Sequence, residues 1–108
     1  MSNLNDYFDL FYRSNETEKI ETDKKTTLII KAPGVRGDDV KLTVNDNVLY
    51  VEGTSEDKEL QKKYNVSQMF TIKTNVIDNI AYDVRDGLII IDLIKKDAQK
   101  TRVKINRK

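Results

Sequence analysis

Asp39-Val40-Lys41-Leu42-Thr43-Val44-Asn45-Asp46-Asn47-Val48-Leu49-Tyr50-Val51-Glu52-Gly53 decides the fold class. Val40, Leu42 and Val44 alternate with polar residues, which puts all three on one face of an extended strand. Asn45-Asp46-Asn47 tolerates turn geometry, because Asn and Asp side chains bond nearby backbone. Val48-Leu49-Tyr50-Val51 is the return, closed by Gly53. The stretch predicts a β-hairpin.

The same pattern extends outward on both sides. Upstream, Thr26-Thr27-Leu28-Ile29-Ile30-Lys31 is short and β-branched. It stops at Ala32-Pro33-Gly34, where Pro cannot donate to a ladder and Gly permits a sharp bend. Downstream, residues 54–63 are polar and of mixed charge, and read as an exposed loop. Tyr64-Asn65-Val66 leads into a strand at Met69-Phe70-Thr71-Ile72. Ile80, Tyr82 and Val84 alternate, and Asp86-Gly87 then gives a strong hairpin signal, since both turn residues need positive φ. Leu88 to Ile94 is apolar on both faces for four residues, so it is predicted to be central or covered on its second face. At least six strands with no interior helix predict an all-β fold, an antiparallel immunoglobulin-like β-sandwich.

The chain's 108 residues fit one domain. Charged residues are 34% and hydrophobic ones 38%, so the core is thin. A sandwich tolerates that, because each strand buries only alternate residues. Formal net charge is +1, but residues 95–108 carry +6 against −5 on residues 1–94. Bulk charge therefore points to neither nucleic acid nor membrane. Cys and His are both 0, which excludes disulfides, thiol nucleophiles, Ser–His–Asp triads and zinc fingers. The longest apolar run, Leu88-Ile89-Ile90-Ile91, is far short of the roughly 20 residues of a membrane span. The first residues, Met1 to Asp6, show no cationic start with an apolar stretch. A soluble, cytoplasmic protein is the expectation.

Chemistry-bearing motifs are lacking. Gly34, Gly37, Gly53 and Gly87 form no phosphate-cradling pattern, and Asp38-Asp39 after Gly37 would repel phosphate. Asp83 with Asp86, and Asp38 with Asp39, read as turn residues rather than as a catalytic or calcium-binding pair. The expectation is a protein that is not an enzyme and uses no cofactor and no metal.

The ends differ from the middle. Residues 1–18 form an arm that holds Tyr7, Phe8, Phe11 and Tyr12, half of the chain's eight aromatic side chains. Leu4, Phe8, Phe11 and Tyr12 share one face of a short amphipathic helix, marginal on its own in water. Residues 19–95 hold the sandwich. Residues 96–108 form a basic tail with a two-point apolar island, Val103-Lys104-Ile105.

Ala32-Pro33-Gly34-Val35, then Asp39 to Val44, then Asn47 to Gly53 resemble the α-crystallin domain of the small heat shock proteins. Ile80 to Gly87, followed by Ile89, Ile91, Leu93 and Lys95, is similar to that family's second block. Val103-Lys104-Ile105 is similar to its C-terminal I/V-x-I/V motif. The resemblance covers about residues 20–105. Three positions depart from it: Tyr82 stands where a small Ala is usual, and Lys73 and Ile94 where Pro is usual. The span from Gly53 to Phe70 is short for members whose extra strand swaps between partners.

The resemblance implies an ATP-independent holdase, a homo-oligomer built from dimers, with partly unfolded client proteins as partners and no nucleic acid or membrane. It also implies that Val103 and Ile105 latch into a groove between Leu42/Val44 and Tyr82/Val84 of another subunit. Tyr7, Phe8, Phe11 and Tyr12, on a short flexible arm, suit client binding, because aromatic rings supply large contact area. Blander readings stay open. The arm could pack on its own sandwich or a neighbour, and Val103 and Ile105 could be an intrachain edge strand. A monomeric co-chaperone of the related single-sandwich type and a plain β-sandwich interaction module are alternatives. A nucleic-acid binder is disfavoured, because the basic tail and the aromatics lie at opposite ends of the chain.

Overall fold

Leu28 and Ile30, Leu49 and Val51, Ile89 and Ile91 come from three strands of two sheets and meet in one core, none more than 4% exposed. A computed structural model of the chain describes residues 16–96. Within them lie β1 (Thr17–Glu21), β2 (Lys25–Lys31), β3 (Val40–Asn45), β4 (Val48–Asp57), β5 (Lys62–Thr71), β6 (Ile77–Arg85) and β7 (Leu88–Lys95). Short 3-10 turns, Gly37–Asp39 and Thr74–Val76, precede β3 and β6. One sheet has the order β1-β2-β7-β6 and the other β3-β4-β5, and every pairing is antiparallel. This is the two-layer antiparallel β-sandwich that the alternation predicts.

The hairpins form where turn chemistry places them. Asn45 pairs with Val48 across a turn in which Asp46 has φ 58°. Asp86 and Gly87 take φ 53° and 76° between β6 and β7. β7 is central, between β2 and β6. Ile89, Ile91 and Leu93 point into the core, while Leu88, Ile90 and Ile94 face outward and stay half-buried.

Two features correct the sequence reading. Residues 54–63 are not a loop: β4 runs on to Asp57 and β5 starts at Lys62, leaving a turn at 58–61. The inward alternation of Leu49 and Val51 continues through Gly53 to Ser55, which is buried. On the hairpin's end, Glu56 faces Lys63 and Asp57 faces Lys62 in register, and opposite charges directly across strands favour pairing. The Leu60 N–H donates to Asp57 Oδ1 at 3.1 Å and Gln61 takes φ 56°, which closes the turn. Among the described residues no separate strand lies between β4 and β5 to be exchanged between partners.

The second feature is β1, a strand that includes Thr17 and Glu18, residues the sequence reading gave to the arm. All five of its residues are exposed, so no buried alternation betrays it. Polar contacts fasten its two ends. Lys31 Nζ lies 2.9 Å from Glu16 Oε1, and Lys95 Nζ 3.3 Å from Glu21 Oε2. The Lys31 hydrogen bond holds the Glu16 carboxyl below the usual 4.5, and Glu16 in turn raises the Lys31 ammonium. Lys95 does the same for Glu21.

Candidate partner-binding groove

Strands β3 and β6 are edge strands of different sheets, so each leaves one row of backbone N–H and C=O groups without a ladder partner. They lie along the same side of the sandwich. At one end a Cβ on Gly37, just before β3, would sit 3.5 Å from Val84 Cβ near the end of β6. At the other end Thr74, just before β6, donates its Oγ1–H at 2.7 Å and its N–H at 3.2 Å to Asn47 Oδ1, just after β3. The two edges are thus pinned at both ends and run antiparallel.

Between these pins the core-facing side chains of β3 and β6 line an apolar strip. Leu42, Ile80 and Val84 are half-buried against the core, whereas Val44 and Tyr82 are 41% and 47% exposed. Of the four residues expected to form a groove, Leu42 and Val44 stand on the β3 edge and Tyr82 and Val84 on the β6 edge. Ile80 joins them, and its place in the alternation with Tyr82 was a signal for it. Tyr82, which stands where the family usually has a small side chain, does not crowd the core. It pairs in register with Ile91 of β7. Tyr7, Phe8, Phe11, Tyr12, Val103 and Ile105 lie outside the described residues.

A polar lock that the sequence reading missed fixes the start of the β3 wall. Ser55 is 1% exposed. Its Oγ accepts the Arg36 N–H at 2.8 Å and donates to Asp39 Oδ2 at 2.6 Å. Arg36 Nη2 also reaches Asp39 Oδ2 at 3.3 Å, and Nη1 donates to the Glu56 carbonyl at 3.3 Å. Gly53 makes the approach possible, since a Cβ there would lie 2.7 Å from the Asp39 carbonyl oxygen. Ser55→Ala strands the Arg36 N–H and removes a bond to a carboxylate, at an expected cost of about 1–3 kcal/mol. The urea midpoint should fall with an unchanged slope; an unchanged midpoint would show that the lock carries no stability.

Among the described residues no cluster of three metal-ligating side chains exists, and no helix is long and apolar enough to cross a membrane. Comparison with known proteins decides the family. The family model described as "Hsp20/alpha crystallin family" matches residues 18–106. The chain belongs to that family. Small heat shock protein C2 of Rickettsia felis is 27% identical over 121 residues, covering 92% of this chain and 79% of the relative. Small heat shock protein C1 of Rickettsia bellii is 28% identical over 103 residues, covering 87% of this chain and 62% of the relative. Among solved structures, heat shock protein 16.0 from Schizosaccharomyces pombe superposes with TM-score 0.64 at 20% identity, covering 76% of this chain and 86% of that one. A small heat-shock protein from Xylella fastidiosa gives 0.65 at 14% identity, covering 77% and 86%. These structural likenesses support the sandwich fold. Membership in the small heat shock protein family carries a chaperone role in general, in a family that is generally not enzymatic.

Proposed function

We propose that this small heat shock protein is an ATP-independent holdase, cytoplasmic, which assembles as an oligomer of dimers and shelters partly unfolded clients. The observation that carries the assembly part is the pair of edge strands β3 and β6, with apolar side chains along both. An extended V-x-I segment places Val103 and Ile105 on one side, two residues apart, matching the same-face spacing of the groove walls. Burying both contributes roughly 3–6 kcal/mol gross. Association costs roughly 4–15 kcal/mol, so one tail is a weak latch and only many tails around a closed assembly hold it. The +6 tail end meeting a −5 remainder steers the encounter, and salt screens it.

Clients expose apolar surface and unpaired strand edges, which drive aggregation. Tyr7, Phe8, Phe11 and Tyr12 offer aromatic area kept in solution by Asn3, Asn5, Asp6 and Asp9. Phe8→Ser with Phe11→Ser removes two anchors worth about 1 kcal/mol or more each, so the dose for half-suppression of a heat-labile enzyme's turbidity should rise about tenfold or more. The far-UV spectrum should not change. An unchanged dose would mean that clients bind elsewhere.

A further inference from the structure

The outer face of the four-stranded sheet is unusual for a surface. An antiparallel sheet with one solvated face puts polar residues outward. Here Ile29 on β2 pairs in register with Ile90 on β7, and Leu88 follows next to Lys31. All three apolar side chains face away from the core and are half-buried. Among the described residues the sandwich has only its two layers, so no third layer covers them. A depression of about 370 Å³ lies on this face, lined by Glu16, Thr17, Glu18, Ile29, Lys31 and Leu88.

We propose that residues 7–12 of the same chain dock their aromatic rings on this face, over Ile29, Leu88 and Ile90. The inference deepens the client-binding reading of the arm: the rings that meet a client rest here between clients. Continuity is the first argument. Glu16 is both the first described residue and part of the depression's rim, so the arm enters at the site. Reach is the second. From β1 to β7 is two strand spacings, about 10 Å, which three or four extended residues cover. Tyr12 and Phe11 stand at that distance from Glu16, and Ser14-Asn15 supplies residues suited to a reversal. The third argument separates the arm from the tail. The tail leaves β7 beside Ile77 and Lys25, at the opposite end of the sheet from Leu88.

The test uses the full chain. Chymotrypsin cuts after exposed Phe and Tyr, and mass spectrometry locates the cuts. Ile29→Thr with Ile90→Thr keeps β-branching in both strands while removing apolar area. Cutting at residues 7–12 should be at least about tenfold faster in this variant than in the unaltered chain, because cleavage follows the undocked population. Equal rates would overturn the docking. The absence of cysteine permits a second measurement that needs no weakened sheet. Spin labels at Asn5→Cys and Arg85→Cys, in chains diluted into unlabelled protein, should give one narrow intrachain distance. A broad distribution would overturn the proposal. Protection that vanishes on dilution together with loss of oligomer mass would assign the face to a second copy and also overturn it. Neither readout involves a client, so docking can stand or fall apart from the turbidity result with Phe8 and Phe11.

Discussion

Gly34→Ala should lower the unfolding free energy by about 2–5 kcal/mol, among the largest effects open to a single methyl group in this chain. Two independent causes add. Gly34 sits at φ +89°, a conformation that costs an L-residue about 1–2 kcal/mol. A Cβ there would also overlap the ring carbons Cγ, Cδ1 and Cδ2 of Tyr64, which lies directly on the glycine. Relieving such an overlap by moving a packed ring costs about 1–3 kcal/mol. For a domain of this size each kcal/mol lowers Tm by about 4–8 °C, so the melting curve should shift by at least about 8 °C. Tyr64→Ala separates the causes. In that background Gly34→Ala should lose only its backbone part, about 1–2 kcal/mol. The difference between backgrounds is the coupling energy between ring and methyl. If the cost is the same with and without the ring, the close approach is irrelevant and backbone strain alone explains the glycine.

Gly34 also marks how far the sequence could be read. That the chain bends sharply after Pro33 was legible, because Pro and Gly act locally. That the bend must leave room for a ring thirty positions later was not, since nothing local links the two. The same division runs through the fold. Hairpins at Asp46 and at Asp86-Gly87, and the central place of β7, were legible from turn chemistry and alternation. Residues 54–63 were misread because polarity was weighed over period. Ser55 continues the inward series of Leu49 and Val51 with a hydroxyl in place of an apolar group. Its partners Arg36 and Asp39 come from another segment, so its burial shows only in three dimensions. β1 escaped because every side chain on it is exposed. For the candidate groove, alternation put Leu42 with Val44 on one strand and Tyr82 with Val84 on another, and the family resemblance supplied the groove between them. That the two walls face one another depends on the contacts at Gly37–Val84 and Asn47–Thr74.

Those walls set the second large effect. Ile105→Asp should reduce the assembly to dimers, read as native mass by light scattering. The isoleucine's share of the latch is about 1.5–3 kcal/mol, and an aspartate must leave water to enter an apolar strip, which costs more than the share it replaces. On the proposed reading, a latch that is weak per subunit would fail throughout a closed assembly at once, because avidity multiplies the loss. The groove allows a reciprocal test. Val44 is 41% exposed on an edge strand, so Val44→Asp should leave the sandwich folded while placing a charge on the receiving wall. It should lower the mass as Ile105→Asp does. The double variant should be no smaller than either single one, since both remove the same contact. Val44→Lys combined with Ile105→Asp offers the carboxylate a partner and should restore part of the mass at low salt, less at high salt. An unchanged mass for Ile105→Asp removes the latch altogether. A fall with Ile105→Asp but none with Val44→Asp keeps the latch and moves its receptor away from the β3–β6 edges.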